Sequence, residues 1–77
     1  MFFSPYLFHR LDRDGYVMIN YLTNGEAVLQ MRTEQLLRLQ NLLTDGISQE
    51  DLTACLDGFG LNGTAVVSEL MRKGIVE

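Results

Sequence analysis

The residues whose types and spacing could carry chemistry are few. Gly58-Phe59-Gly60-Leu61-Asn62-Gly63 matches G-x-G-x-x-G letter for letter. In a dinucleotide site those glycines follow a strand, open a helix, and work with an acidic residue about 20 positions on that holds the ribose. Here the segment follows a helix pattern instead. It therefore reads as a glycine-rich turn between two helices. His9 is the only histidine and Cys55 the only cysteine. A structural zinc site, which draws four ligands mostly from these types, is excluded by counting. A Cys-His nucleophilic pair would need a reactive thiolate. Cys55 falls instead in the apolar stripe of a helix, where thiols are inert. The carboxylates are dispersed. Asp12 and Asp14 sit in a turn, Glu50 and Asp51 at a helix start, and Asp57 near a helix end. No spacing forces two of them into one cleft, so a paired-carboxylate acid/base site has no support. No catalytic, metal or cofactor site is expected.

The elements that would position any site follow from hydrophobic period and turn chemistry. The chain has 77 residues, 47% of them hydrophobic and 21% charged, which suits one small globular domain. Residues 6–11 read as a first strand, with Pro5 tolerated just before it. Asp12-Arg13-Asp14-Gly15 reads as a turn and residues 16–21 as a second strand. Val17, Ile19 and Tyr21 alternate there with Tyr16, Met18 and Asn20. Asn24-Gly25 is a hairpin signal, and residues 26–31 read as a third, edge strand. Thr33 is the expected cap of a first helix over 34–43, which Asp45-Gly46 ends. Ser48 caps a second helix carrying Leu52, Cys55 and Leu56, and Gly58-Phe59-Gly60 breaks it. Asn62 caps a third over 63–73, stopped at Gly74, after which Ile75-Val76 folds back on the body. The expected fold is α+β: a three-stranded antiparallel sheet followed by three helices, one domain over 1–77, resembling a winged helix-turn-helix.

Charge narrows the partners. Ten acidic residues against six basic ones give a net charge of −4, contrary to the positive footprint that nucleic acid requires. The third helix offers Asn62, Thr64 and Ser68 where base-reading residues would stand, and its cations come only at its end. No run is long enough to cross a bilayer. A single thiol and the lack of a signal-peptide pattern at the start suggest a cytoplasmic setting. What remains is the edge strand, which leaves backbone groups unpaired. A peptide could add to it through Val28, Leu29, Gln30 and Met31, with apolar pockets against a helix giving selectivity. On a wheel of residues 63–73, Val66 and Leu70 occupy the middle of the apolar arc. Val67 and Met71 lie toward a margin, where a groove wall is expected.

Ser4-Pro5-Tyr6, residues 11–17 (LDRDGYV), residues 20–27 (NYLTNGEA) and residues 67–76 (VSELMRKGIV) together resemble the PqqD-like precursor-recognition domain of ribosomally made, post-translationally modified peptides. This module occurs alone or at the front of radical-SAM peptide maturases, and also serves lasso-peptide and cyclodehydratase systems. The resemblance implies a non-catalytic domain that binds the leader of a precursor peptide and delivers it to a modifying enzyme. It implies a leader lying along strand three, Ala27, Val28, Leu29, Gln30 and Met31. The groove wall would come from Thr64, Val67, Ser68 and Met71, with Arg72 or Lys73 meeting an acidic leader side chain. The cysteine triad of radical-SAM enzymes is absent, so that chemistry would belong to a partner or a fused enzyme. The alternative reading is a winged-helix DNA-binding regulator. A third is a homodimer formed through the same edge strand.

Overall fold

The computed structural model describes residues 1–13 and 15–77; Asp14 of the expected first turn lies outside the described residues. The chain runs β1 (Leu7–Asp12), β2 (Gly15–Asn20), β3 (Gly25–Leu29), α1 (Thr33–Asp45), α2 (Gln49–Gly58) and α3 (Gly63–Arg72). The strands form one antiparallel sheet in the order β1-β2-β3. The expected α+β order is the observed one.

Alternation assigns the faces of the sheet. Tyr16 and Met18 of β2 and Ala27 and Leu29 of β3 point inward. They join Leu36, Leu39 and Leu43 of α1, Leu52 and Leu56 of α2, and Val67 and Leu70 of α3 in one core. The apolar periodicity of each helix matches that burial: positions 36, 39 and 43 of α1 repeat at helical spacing, as do 52 and 56 of α2. Ile75 and Val76 are buried as expected, and Val76 bridges to Phe3.

Two helix starts follow their sequence signals. Ser48 Oγ accepts from the Asp51 N–H at 3.1 Å, and Asn62 Oδ1 accepts from the Ala65 N–H at 3.1 Å. The first helix differs: Thr33 is its first helical residue and Arg32 the cap. The Arg32 N–H donates to Gln35 Oε1 at 3.1 Å, half of a capping box. Gly46, at φ 97°, ends α1, and its N–H returns to the Leu42 carbonyl at 3.0 Å.

The second hairpin uses its Asn-Gly pair differently from the two-residue turn that the pair suggests. Four residues, 21–24, connect β2 to β3, and Asn24 alone takes the left-handed conformation, at φ 59°. Gly25 opens β3, where any Cβ would collide with the Lys73 carbonyl oxygen. Its glycine serves close packing rather than the turn. No helix among the described residues is long and apolar enough to cross a membrane.

Candidate peptide-binding groove

Among the described residues β3 pairs on one side only, with β2. The ladder decides which of its backbone groups are free. The Tyr21 N–H donates to the Tyr6 carbonyl at 3.0 Å, so Tyr21 directs its backbone at the β1 side. Antiparallel residues alternate in this respect. Ile19 and Val17 therefore also face β1, while Asn20, Met18 and Tyr16 face β3. Their partners Ala27 and Leu29 are committed to the ladder, while the Gly25 N–H, opposite Asn20, donates to Thr23 Oγ1 at 3.3 Å. Glu26 and Val28 turn N–H and C=O to the open edge.

Beside that edge lies a groove of about 430 Å³. One wall is residues 26–29 of β3; the other is Ala65, Val66, Glu69 and Leu70 of α3. Leu29, Ala27 and Leu70 are buried and make an apolar floor, with half-buried Val66 above it. The small side chains of Ala27 and Ala65 leave the space open. At one end β3 and α3 meet where Gly25 packs on Lys73. Asn20 braces the same junction: its Nδ2 donates to the Gly74 carbonyl at 2.9 Å, and its Oδ1 accepts from the Leu22 and Thr23 N–H groups at 3.0 and 3.2 Å. Being buried, Asn20 needs these partners. They fix the β2–β3 turn against the end of α3.

The groove's charge is largely settled within α3. Glu69 accepts from Arg72 Nη2 at 2.7 and 2.8 Å and from Nε at 3.2 Å, and Lys73 Nζ lies 3.6 Å away. The Arg72 hydrogen bonds hold the Glu69 carboxyl below its ordinary pKa.

The structure brings Ala27, Val28 and Leu29 to the groove and corrects the other expected positions. β3 ends at Leu29, so Gln30 and Met31 lie beyond the ladder, in a shallow depression with Leu11, Asp12, Arg13 and Gly15. Val67 is 1% exposed and belongs to the core. The groove takes the opposite margin of the helix, at Ala65 and Val66. The reason is the packing of α3 on α2. A Cβ on Gly63 would collide with the Thr53 carbonyl oxygen, so the helices touch there, and Val67 lies one turn on, on the same side. Thr64 faces α2, in a depression with Gln49, Glu50 and Thr53. Ser68 and Met71 are exposed and outside the groove. Arg72 is occupied by Glu69. The sequence reading missed Glu26, Ala65, Val66 and Glu69 as lining. Their only advance signal was the adjacency of positions 65, 66 and 69 on one helix flank.

The other chemical candidates have structural roles. Gly60, at φ 86°, makes the turn between α2 and α3, and the Gly63 N–H donates to Asp57 Oδ1 at 2.7 Å. Both are helix-joining duties of the glycine-rich segment. His9 Nδ1 hydrogen-bonds the Tyr16 hydroxyl. Cys55 is half-buried beside Arg38, Ala54, Gly58 and Phe59. Among the described residues no three His, Cys, Asp or Glu side chains cluster to hold a metal ion. Compared with known proteins, the chain matches no family model, no curated protein and no solved structure.

Proposed function

We propose that this chain is a non-catalytic peptide-recognition module. It takes the leader of a ribosomally made precursor peptide as a fourth strand on β3 and presents it to a modifying enzyme, such as a radical-SAM maturase. The observation that carries the reading is the conjunction of two features on one edge. The outward N–H and C=O groups of Glu26 and Val28 run beside an apolar groove between β3 and α3. An added strand would exchange backbone hydrogen bonds with those two residues. Alternate side chains would drop onto Ala27, Leu29, Val66 and Leu70. The resemblance of residues 4–6, 11–17, 20–27 and 67–76 to the PqqD-like domain supports the same edge. The net charge of −4 favours a peptide over nucleic acid. The module is assigned to the cytoplasm, where a lone thiol stays reduced.

The test is fluorescence anisotropy with a labelled synthetic leader from a short peptide gene beside this one, and with labelled duplex DNA in parallel. Val28→Pro removes one outward N–H while sparing the β2 ladder, because proline is tolerated on an edge strand whose N–H faces solvent. The expected outcome is leader binding that weakens at least about tenfold in Val28→Pro, equivalent to about 1.4 kcal/mol, and no DNA binding. Unchanged affinity in a folded variant would exclude strand addition at β3. DNA binding that falls steeply with salt would favour the winged-helix regulator.

A further inference from the structure

All three helices pack on one face of the sheet. The opposite face carries Tyr6, Phe8, Val17, Ile19, Tyr21 and Val28, brought together by the pairings Phe8↔Ile19↔Glu26 and Arg10↔Val17↔Val28 and by the Tyr6–Tyr21 edge-to-face contact at 6.0 Å. Phe8 is 55% exposed, Tyr21 58% and Val28 46%. Val17, only 3% exposed, stands outside the core cluster and lies on the middle strand of this face, between Arg10 and Val28. Monomers rarely leave a contiguous apolar surface of this kind open to water without a use for it.

The charges on the same face indicate what covers it. Phe8, Glu26, Val28 and Arg10 form the corners of a rectangle, centred between Ile19 and Val17 of β2. Arg10 and Glu26 occupy one diagonal, Phe8 and Val28 the other. A two-fold axis in the plane of contact along the Phe8–Val28 diagonal lays Arg10 of one copy over Glu26 of the other, twice. It sets Phe8 on Phe8 and Val28 on Val28. An axis along the other diagonal would oppose Glu26 to Glu26 and Arg10 to Arg10. Axes along or across the strands would leave both charges over apolar side chains. The favoured axis crosses the two sheets at a steep angle, within the orthogonal class of sheet packing. Among the described residues Arg10 pairs with Asp12 at 3.7 Å, an exposed pair of little strength that a stronger one can replace.

We propose that the outer face of the sheet is a self-association surface and that its partner is a second copy of this chain, joined as a two-fold dimer through Arg10–Glu26 pairs around an apolar centre. A three-stranded face is small beside standard interfaces, which places the dimer in the transient, concentration-dependent class. The α3 side of the groove lies on the other side of the sheet, so this proposal does not depend on peptide recognition.

Sedimentation velocity of the full chain over a range of concentrations tests it. The expected mass rises from 8.7 kDa toward twice that value. Arg10→Glu and Glu26→Arg, both at exposed positions, should each hold the mass at the monomer value, and combining them should restore the dimer by exchanging the charges. Circular dichroism checks that each variant is folded. A wild-type mass that stays at 8.7 kDa throughout would overturn the proposal. So would a dimer indifferent to the single reversals, or one that the double reversal fails to recover.

Discussion

Tyr16 links β2 to α1 through its hydroxyl. Gln40 Nε2 donates to that oxygen at 2.8 Å, and His9 Nδ1 hydrogen-bonds the same hydroxyl. The His9 imidazole has an aromatic neighbour besides Tyr16. Phe3 packs edge-on against the same ring at 5.2 Å, and burial lowers the His9 pKa below its ordinary 6.5. Burial raises that of Tyr16. As pH falls through 6.5 the unfolded chain takes up its histidine proton before the folded chain does. Stability therefore rises with pH between the folded pKa and 6.5, and is lost as acid is added. His9 is the only histidine, so its substitution should flatten this dependence. Urea denaturation at about pH 7.5 and about pH 5.5 should show a falling midpoint for the wild type and a smaller fall for His9→Gln. Equal falls would locate the dependence elsewhere.

At the scale of the element, α3 shows what helical periodicity leaves open. The wheel puts Leu70 at the centre of the apolar arc, where it is buried, but Val66, placed beside it, is half-buried and Met71 of the same arc is exposed. It carries no information about which margin meets the sheet edge. That depends on how α3 is rotated about its axis, and the contact of Gly63 with Thr53 decides it. Adjacent valines then have opposite fates. Val67→Asp puts an unpaired charge in the core and is expected to destabilise by more than about 3 kcal/mol. That is a large share of the roughly 4–12 kcal/mol available to a chain of this length. Val66→Asp places the charge at the groove and is expected to keep the fold while weakening leader binding. Thermal melts of the two variants separate them. A melt of Val66→Asp as low as that of Val67→Asp would refute the assignment of the groove margin.

Over the whole molecule the two ends are tied to each other. The Phe2 N–H donates to the Glu77 carbonyl at 2.7 Å, the Glu77 N–H to the Phe2 carbonyl at 2.9 Å, and the Ser4 N–H to the Ile75 carbonyl at 2.9 Å. Ile75 and Val76 fill space beneath them. Their burial contributes roughly 3–6 kcal/mol at about 1.5–3 kcal/mol for each side chain. Removing residues 75–77 is expected to lower the melting temperature by at least about 12 °C, at about 4 °C or more per kcal/mol for a domain of this size. A smaller shift by calorimetry would mean that the rest of the core stands without this clasp.

The local signals were readable in the chain itself. Ser48 and Asn62 are caps because their side-chain oxygens reach amides that a helix start leaves unpaired. The order of strands and helices follows from turn residues and from apolar repeats. The return of Ile75-Val76 follows from its hydrophobicity. These are properties of neighbours in sequence. The candidate groove was legible only in part. β3 is recognisable as an edge, but its last two expected residues, Gln30 and Met31, fall beyond the ladder, and the candidate groove is lined by the Ala65–Val66 flank of α3 rather than the expected Val67–Met71 flank. β2 is apolar on both faces, Tyr16 and Met18 on one and Val17 and Ile19 on the other. Alternation therefore could not name the buried face, and the uncovered outer face was invisible. Gly25 announced a turn and turned out to admit the Lys73 carbonyl. Each of these depended on a contact between segments far apart in the chain, and no pattern within one segment encodes which part of another will lie against it.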